Sequence, residues 1–306
     1  MIAPVTLVLV TATAVAAWGN IGHELTGALA QALMQPATAA SIQSLIGSSL
    51  QDAATWADKV KFGGKYAYTR NFHFVDSNDN PSQSCSFDQQ RDCADGKCLT
   101  SAIANFTQQI SCQNSDAVRA DAVKFVMHFL GDLTQPLHTC KRLRGGNEAK
   151  IAFTNVRMTH TNLHAIWDFS IIEKKLKQQF HDNQDELTSY LLQKAQAYMQ
   201  SGEADPWTAC LSAASSPLDC AMAWAADSDA WNCKGVWEAY DQDPTQDFGG
   251  AYYEQAWPII ERQLIKAGVR AAQWYTTFYT DCGNAVSTDD VRLGGPQRKP
   301  RHPKHH

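Results

Sequence analysis

The stretch HFLGDLTQPLH, residues 128–138, decides which fold this chain is expected to adopt. His128 and Asp132 lie four residues apart, so they share one face of a helix. Leading into this stretch, apolar side chains repeat at helical spacing, at Val118, Ala122, Phe125, Val126 and Phe129. Pro136 ends or kinks this helix, and His138 follows at the bend. Polar side chains on an otherwise apolar face predict a helical framework built around a polar centre.

The same helical spacing dominates the rest of the chain and predicts an all-α fold in one domain. A further apolar stripe consists of Leu25, Ala28, Leu29, Ala32 and Leu33, and similar stripes cover about Thr161–Phe180, Asp185–Gln200 and Tyr252–Phe278. Residues 151–156 predict at most a short hairpin strand. Residues 62–99 are rich in Gly, Ser, Asp and Cys, which is typical of a long loop held by disulfides.

Composition indicates a large folded domain without a general attraction for polyanions. The chain has 306 residues, of which 44% are hydrophobic and nine are tryptophan, enough for a substantial core. Its formal net charge is −5. An enzyme with this balance that acts on nucleic acid therefore needs a local positive feature.

The two ends of the chain are expected to lie outside the folded domain. Ile2–Ala17 is uncharged and ends in small residues, which predicts a secretory leader, residues 1–17, cut after Ala17. The leader is imperfect, because no Lys or Arg precedes its apolar core. The alternative is a membrane anchor, but the run is short for that, since about 20 apolar residues are needed to span a bilayer. Residues 283–306 are basic and contain no aromatic residue, which predicts a disordered tail rather than a loose metal site for its histidines.

The cysteines and one acceptor motif fit a secreted or lumenal protein, in the endoplasmic reticulum or a lysosome-like compartment. All nine cysteines follow residue 17, and behind a leader they predict disulfides rather than metal ligands. Because nine is odd, at least one is free or pairs between chains. Asn105-Phe106-Thr107 matches the acceptor pattern for N-linked glycosylation.

Several histidines and aspartates have the spacing of metal ligands. HAIWD, residues 164–168, repeats the His-xxx-Asp pair on a second helix. A single histidine on an apolar face is usually a hydrogen-bonded core residue, but two such pairs beside His138 favour a metal site. Imidazole and carboxylate are donors that zinc accepts. Further candidates are His23, His73 and Asp58, the last in WADKV near the expected end of a helix, whereas His160 and His181 fit no pair and are expected at the surface.

Taken together, these motifs resemble the zinc-dependent class I nucleases. That family includes fungal and plant single-strand-specific nucleases and trypanosomatid 3′-nucleotidase/nucleases, and it is related in fold to bacterial zinc phospholipase C. The resemblance rests on seven stretches in order: Trp18, GH at 22–23, WAD at 56–58, NFHFVD at 71–76, HFLGDLTQPLH at 128–138, GGN at 145–147 and NLHAIWD at 162–168. It implies a compact, nearly all-helical domain, residues 18–282, with three zinc ions in a cleft.

The resemblance also implies which residues bind each ion. One zinc would be held by Asp58, His73, His128 and Asp132. A second would share Asp132 as a bridge and take His23 and Trp18, and a third would take His138, His164 and Asp168. Trp18 would bind through its α-amine and carbonyl, which are available together only at a chain terminus, so removal of the leader would complete the site.

Two disulfides follow from the same resemblance. They are Cys93–Cys98 and Cys85–Cys233. The remaining five cysteines have no assigned partner: Cys112, Cys140, Cys210, Cys220 and Cys282.

The implied reaction is hydrolysis of phosphodiesters. Three Zn²⁺ ions and three aspartates would leave the cleft at about +3, which supplies the missing local attraction for phosphate. Zinc lowers the pKa of bound water towards about 7, so that hydroxide can attack phosphorus and leave products with 5′-phosphates. Asp58 and Asp132 would serve catalysis through the metals. Lys61 would stabilise the transition state, with an ordinary surface lysine as the equal alternative.

Substrate selection would come from residues beside the metals. By resemblance, Phe74 stacks on a base, Asp76 accepts hydrogen bonds from the edge of that base, and Asn147 contacts the substrate. Stacking requires an unpaired base, which predicts a preference for single strands. The alternative for Phe74 is a core residue.

The leading hypothesis is a secreted, monomeric zinc endonuclease and 3′-nucleotidase without a membrane anchor. Its substrates would be single-stranded DNA, RNA and 3′-nucleotides. The alternatives are a zinc phospholipase C and a non-catalytic zinc-binding secreted protein.

Overall fold

Helices form most of the structure, a computed structural model that describes residues 18–154, 158–211 and 215–282. The α-helices in these ranges are α1 Asn20–Leu33, α2 Pro36–Ile46, α3 Leu50–Ala53, α4 Trp56–Val60, α5 Gln89–Asp92, α6 Leu99–Gln109, α7 Asp116–Asp132, α8 Leu163–Ala165, α9 Ile171–Phe180, α10 Gln184–Ser201, α11 Asp205–Thr208, α12 Pro217–Asp229, α13 Glu238–Gln242 and α14 Ala251–Phe278. Short 3₁₀ helices cover Gly64–His73, Pro136–Thr139 and Ala230–Cys233, and a π-helical turn, Ile166–Ser170, joins α8 to α9. The all-α prediction is confirmed, whereas the predicted leader and tail lie outside the described residues.

A two-stranded hairpin precedes the second His-xxx-Asp pair. Strand β1, Lys150–Thr154, pairs antiparallel with β2, Met158–Asn162, and Lys150 faces Asn162. The predicted helix was expected to begin at about Thr161, but Thr161 and Asn162 belong to strand β2, so its predicted start is wrong. Asn162 ends the strand and caps the next helix, because its side-chain oxygen accepts a hydrogen bond from Ala165 N at 2.8 Å. The helix begins at Leu163.

The long helix α14 forms the centre of the domain and contributes to two apolar clusters. One cluster contains Trp167, Trp237 and Tyr252, and the other contains Phe125, Phe129, Trp274 and Tyr275. Helix α1 packs so closely on α14 that a Cβ atom at Gly268 would lie 2.4 Å from Leu29 Cβ. Within the described ranges, no helix is both long and apolar enough to span a bilayer.

Four disulfides fasten the loops to this helical core. Cys93–Cys98 and Cys85–Cys233 are present, as the family resemblance implied. The structure adds Cys112–Cys282 and Cys210–Cys220, and it leaves Cys140 free and buried. Residues 62–99 are partly the disulfide-held loop that was expected, but they also contain the 3₁₀ helix Gly64–His73 and α5.

Candidate metal centre

The eight histidine and aspartate side chains expected to bind metal come together in three adjoining buried groups. The groups are His23, His128 and Asp132; Asp58, His73 and His128; and His138, His164 and Asp168. Within each group the donor atoms lie within 4.8 Å of one another. A fourth group contains Asp79, Cys85 and Asp229, but the Cys85 sulfur is in a disulfide and offers no thiolate.

Asp132 lies between the first two groups, with one carboxylate oxygen directed to each. Its Oδ1 is 3.2 Å from His23 Nε2. Its Oδ2 is 3.1 Å from His73 Nδ1 and 3.3 Å from His128 Nε2. This is the orientation that a carboxylate shared by two ions requires.

Backbone carbonyls fix the orientation of three histidine rings. Nδ1 of His128 lies 2.6 Å from Ala54 O, Nδ1 of His138 lies 2.7 Å from His73 O, and Nδ1 of His164 lies 2.6 Å from Gly145 O. A carbonyl only accepts hydrogen bonds, so each Nδ1 donates a proton to it. The lone pair of each neutral ring then remains on Nε2, which faces the donor groups.

Gln135 orients Asp168, and sequence reasoning did not identify it. Gln135 Nε2 donates to Asp168 Oδ1 at 2.7 Å, while Leu137 N donates to Gln135 Oε1 at 2.6 Å. The other oxygen, Asp168 Oδ2, lies 3.1 Å from His164 Nε2. The only signal for Gln135 in the sequence was its place between Asp132 and His138.

The two glycines of GGN shape the turn that supports His164. Gly145 and Gly146 have φ of 61° and 81°, and a Cβ atom at Gly145 would lie 2.6 Å from Leu137 O. Asn147, half-buried in the same turn, donates from Nδ2 to Arg144 O at 2.8 Å. This bond stabilises the turn, and contact of Asn147 with substrate stays a prediction.

Trp18 is buried beside the ends of the helices that carry Asp132 and Asp168. Its indole Nε1 donates to Thr134 Oγ1 at 3.2 Å. The next amide, Gly19 N, donates to Asp168 O at 2.9 Å. The backbone at the expected start of the mature chain is therefore held against the donor groups.

Several buried nitrogen and oxygen atoms that could bind a metal make no hydrogen bond, which indicates that the site fits a metal ion. Within the described residues, these atoms include His23 Nε2, His138 Nε2, His164 Nε2, Asp132 Oδ1 and Asp168 Oδ2. Buried polar atoms are rarely left unpaired, because their desolvation is then uncompensated. Imidazole nitrogens and carboxylate oxygens are the donors zinc takes in the absence of thiolates.

Burial and the nearby carboxylates shift the pKa values of the histidines in the first two groups. Burial lowers the pKa of His73 to about 4 and also lowers the pKa of His23. Burial opposes protonation of His128 as well, but the Asp132 and Asp58 carboxylates raise its pKa to about 10. A proton and a divalent cation would compete for the same lone pair on His128 Nε2.

Lys61 is buried beside Asp58, so the surface-lysine alternative is wrong. Its Nζ lies 2.6 Å from Asp58 Oδ1. Asp58 lies on the short helix α4, Trp56–Val60, two residues before its end. The short helix places Lys61 in the following turn, where its side chain reaches back to the carboxylate.

Phe74 and Asp76 point away from the core because the backbone around them is extended. Val75 N donates to His138 O at 2.8 Å, and Ser77 forms a β-bridge with Cys140. Side chains therefore alternate, with Val75 and Ser77 buried and Phe74 and Asp76 exposed. Phe74 is 38% exposed, so the core alternative for it is wrong. Partial desolvation raises the pKa of Asp76, and the cations Lys141 and Arg144 oppose that shift.

The remaining surface predictions concern single residues. Asn105 is exposed on α6, and its glycosylation stays a prediction. His160 and His181 are exposed, as their lack of a paired spacing indicated.

Comparison with known proteins gives consistent matches over nearly the whole described chain. The family model described as S1/P1 Nuclease matches residues 18–280. Nuclease S1 of Aspergillus oryzae is 33% identical over 264 residues, which cover 84% of this chain and 90% of that protein. Nuclease P1 of Penicillium citrinum is 33% identical, over 84% of this chain and 96% of that protein. Endonuclease 1 of Arabidopsis thaliana is 27% identical, over 90% of this chain and 91% of that protein.

Proposed function

The chain belongs to the S1/P1 nuclease family, and from this premise we propose a zinc-dependent endonuclease for single-stranded DNA and RNA that also removes phosphate from 3′-nucleotides. The observation that supports it best is the set of three adjoining His and Asp donor groups beside the exposed Phe74 ring. The nuclease activity follows from the family. Zinc dependence, the number of ions and the 3′-nucleotidase activity rest on the donor chemistry and the sequence motifs.

We assign the donors to three zinc ions as the motifs implied. Asp58, His73, His128 and Asp132 would hold one ion; Asp132, His23 and the Trp18 terminus a second; and His138, His164 and Asp168 a third. Bound zinc would supply Lewis-acid chemistry and would activate water at neutral pH. With these ions bound, the three aspartates would offset only part of the cationic charge, so the cleft would attract phosphate although the net charge of the chain is −5.

The protein's own side chains orient these donors and the substrate. The carbonyls of Ala54, His73 and Gly145 fix the rings of His128, His138 and His164 before any ligand binds. The Lys61 ammonium, 2.6 Å from Asp58 Oδ1, adds fixed positive charge beside the place where a phosphate would react. Preorganised charge of this kind stabilises the negative charge that develops in the transition state.

Selection of single strands would come from Phe74 and Asp76. An exposed ring can stack on a base only where that base is free of its complementary strand. The Asp76 carboxylate, two residues along the same extended segment, would accept hydrogen bonds from the base edge. This pair distinguishes the proposal from the phospholipase C alternative, and the relatives described above are nucleases.

A secretory route is part of the proposal. Four disulfides are typical of proteins that fold in an oxidising compartment. The family match begins at Trp18, which supports removal of residues 1–17. We propose that the mature protein is a monomer in the secretory pathway, either secreted or retained in a lumen.

Metal content and cleavage measured on the same preparation test this function. We expect elemental analysis of the purified mature protein to find three zinc ions per chain. We expect cleavage of single-stranded DNA, with little cleavage of the duplex, to stop with a chelator and to return when zinc is added. Activity that survives complete removal of metal would refute the zinc mechanism, and bound zinc without hydrolysis would favour the non-catalytic alternative.

Phe74→Ala is expected to weaken substrate use without loss of metal. Removal of one stacking contact, worth about 1–3 kcal/mol per base, should lower kcat/KM for single-stranded DNA by about 5- to 150-fold. The matched control is Met199→Ala, which removes another exposed apolar side chain, 44% accessible, from α10. Zinc content and kcat/KM should be measured together, and a parallel fall in both would mean that Phe74 supports the metal site instead.

A further inference from the structure

The segment between Asp58 and His73 presents exposed cationic and aromatic side chains that the proposed reaction does not use. They are Lys59, Phe62, Lys65, Tyr68 and Arg70, here called the basic–aromatic strip. Phe62 is 51% exposed and Tyr68 59% exposed. Large apolar surfaces in contact with water often mark a binding site.

The charge of this segment is opposite to that of the whole chain. Residues 59–75 contain four Lys or Arg residues and no Asp or Glu, although the net charge of the chain is −5. Among the residues that the structure describes, Lys59 and Arg70 have no carboxylate partner within ion-pair distance. Lys65 Nζ is 3.4 Å from Asp121 Oδ2, but the Lys65 side chain remains 73% exposed. The strip is therefore complementary to a polyanion.

Contacts within the segment hold the strip without covering it. The Arg70 guanidinium lies 5.7 Å from the centre of the Phe62 ring, so Phe62 positions Arg70 at the surface. The Tyr68 ring contacts Phe72 edge-on at 5.8 Å, which leaves the Tyr68 side chain largely exposed.

Both ends of the segment reach the candidate metal centre. At one end, Lys61 Nζ lies 2.6 Å from Asp58 Oδ1 and 5.5 Å from the Phe62 ring. At the other end, the 3₁₀ helix finishes at His73, and Phe74 follows it directly. The segment that carries the strip therefore begins beside Asp58 and ends directly before Phe74, the proposed stacking residue.

We propose that the basic–aromatic strip binds the part of a single-stranded polynucleotide that extends beyond the nucleotide at Phe74. Tyr68 stacks on a base, and Arg70, held by Phe62, contacts a backbone phosphate. The inference rests on the proposed nuclease function. Aromatic rings and cations in alternation are the usual means by which proteins bind single strands without regard to sequence. The strip would make the enzyme favour long single strands over short ones.

The strip can be tested with oligothymidylates of increasing length, from the dinucleotide to about 12 nucleotides. The upper length lies within the usual site size of single-strand binding surfaces. For the zinc-loaded protein, kcat/KM should rise with length. Tyr68→Ala should lower kcat/KM for the longest substrate by about 5- to 150-fold, the factor that corresponds to about 1–3 kcal/mol for one stacked base. Its kcat/KM for the dinucleotide should be unchanged, which also shows that the variant folds. Tyr68→Phe, which keeps the ring, should behave as the original protein does.

Salt dependence tests the phosphate contact separately. Loss of one phosphate contact should make the slope of log kcat/KM against log salt shallower by about 0.7 in Arg70→Ser on the longest substrate. Arg70→Lys should preserve the slope. The matched control is Lys177→Ser, an exposed cation on α9, which should change nothing.

The outcomes separate this inference from the function on which it rests. If the original protein cleaves none of the substrates, the proposed nuclease function fails. If it cleaves them with kcat/KM independent of length, or if Tyr68→Ala and Arg70→Ser keep the original dependence on length and salt, the strip does not bind the strand.

Discussion

Asp132→Asn is expected to reduce cleavage of single-stranded DNA by about a thousandfold or more, a loss of about 4 kcal/mol in transition-state stabilisation. The physical reason is the position of the carboxylate between two donor groups. Oδ1 lies 3.2 Å from His23 Nε2, and Oδ2 lies 3.1 Å from His73 Nδ1. Asparagine is uncharged and replaces one of these oxygens with an NH₂ group that cannot bind a cation. One substitution therefore weakens two of the proposed zinc sites.

Zinc content and turnover should be measured together on this variant. The matched control is Asp116→Asn on the same helix, because the Asp116 side chain is 83% exposed and its buried partner Arg119 also donates hydrogen bonds to Ile110 O and Thr280 O. We expect the control to keep its zinc and its activity, and Asp132→Asn to lose both. Near-normal turnover of Asp132→Asn would show that the proposed assignment of ligands is wrong.

Extra residues in front of Trp18 are expected to lower activity by orders of magnitude while the helical content stays normal. The α-amine of a chain that begins at Trp18 has a lone pair for a metal, whereas a peptide nitrogen in the same position has none. The backbone cannot shift easily to compensate. The Trp18 indole donates to Thr134 Oγ1 at 3.2 Å, and Gly19 N donates to Asp168 O at 2.9 Å. The second proposed zinc ion would then keep only His23 and Asp132 as ligands.

A removable extension makes this prediction testable on one preparation. The extended protein should contain one zinc ion fewer per chain, and protease cleavage that leaves Trp18 first, followed by added zinc, should restore both zinc and cleavage. The matched control begins at Trp18 and carries the same extension at its C-terminus. Full activity with the N-terminal extension still attached would refute the terminal ligand.

The sequence alone determined the features that depend on spacing within one segment. Helical periodicity predicted α7, α10 and α14 closely, because an apolar stripe repeats with the turn of its own helix. The i, i+4 spacing placed His128 with Asp132 and His164 with Asp168 on shared faces for the same reason. The order of the seven motifs then indicated the family. Two disulfides followed from that resemblance, not from the spacing of the cysteines.

Only the tertiary structure decided what depends on contact between distant segments. Cys112 and Cys282 are separated by 170 residues, and no local pattern pairs them. The burial of Lys61 follows from the neighbours of a five-residue helix, and the helix after β2 begins two residues late because Thr161 and Asn162 pair with Ile151 and Lys150. The orientation of three of the five site histidines depends on a carbonyl elsewhere in the chain, such as that of Ala54 for His128. Such hydrogen bonds and packing contacts arise only when the whole chain has folded, so residue types and local spacing do not specify them.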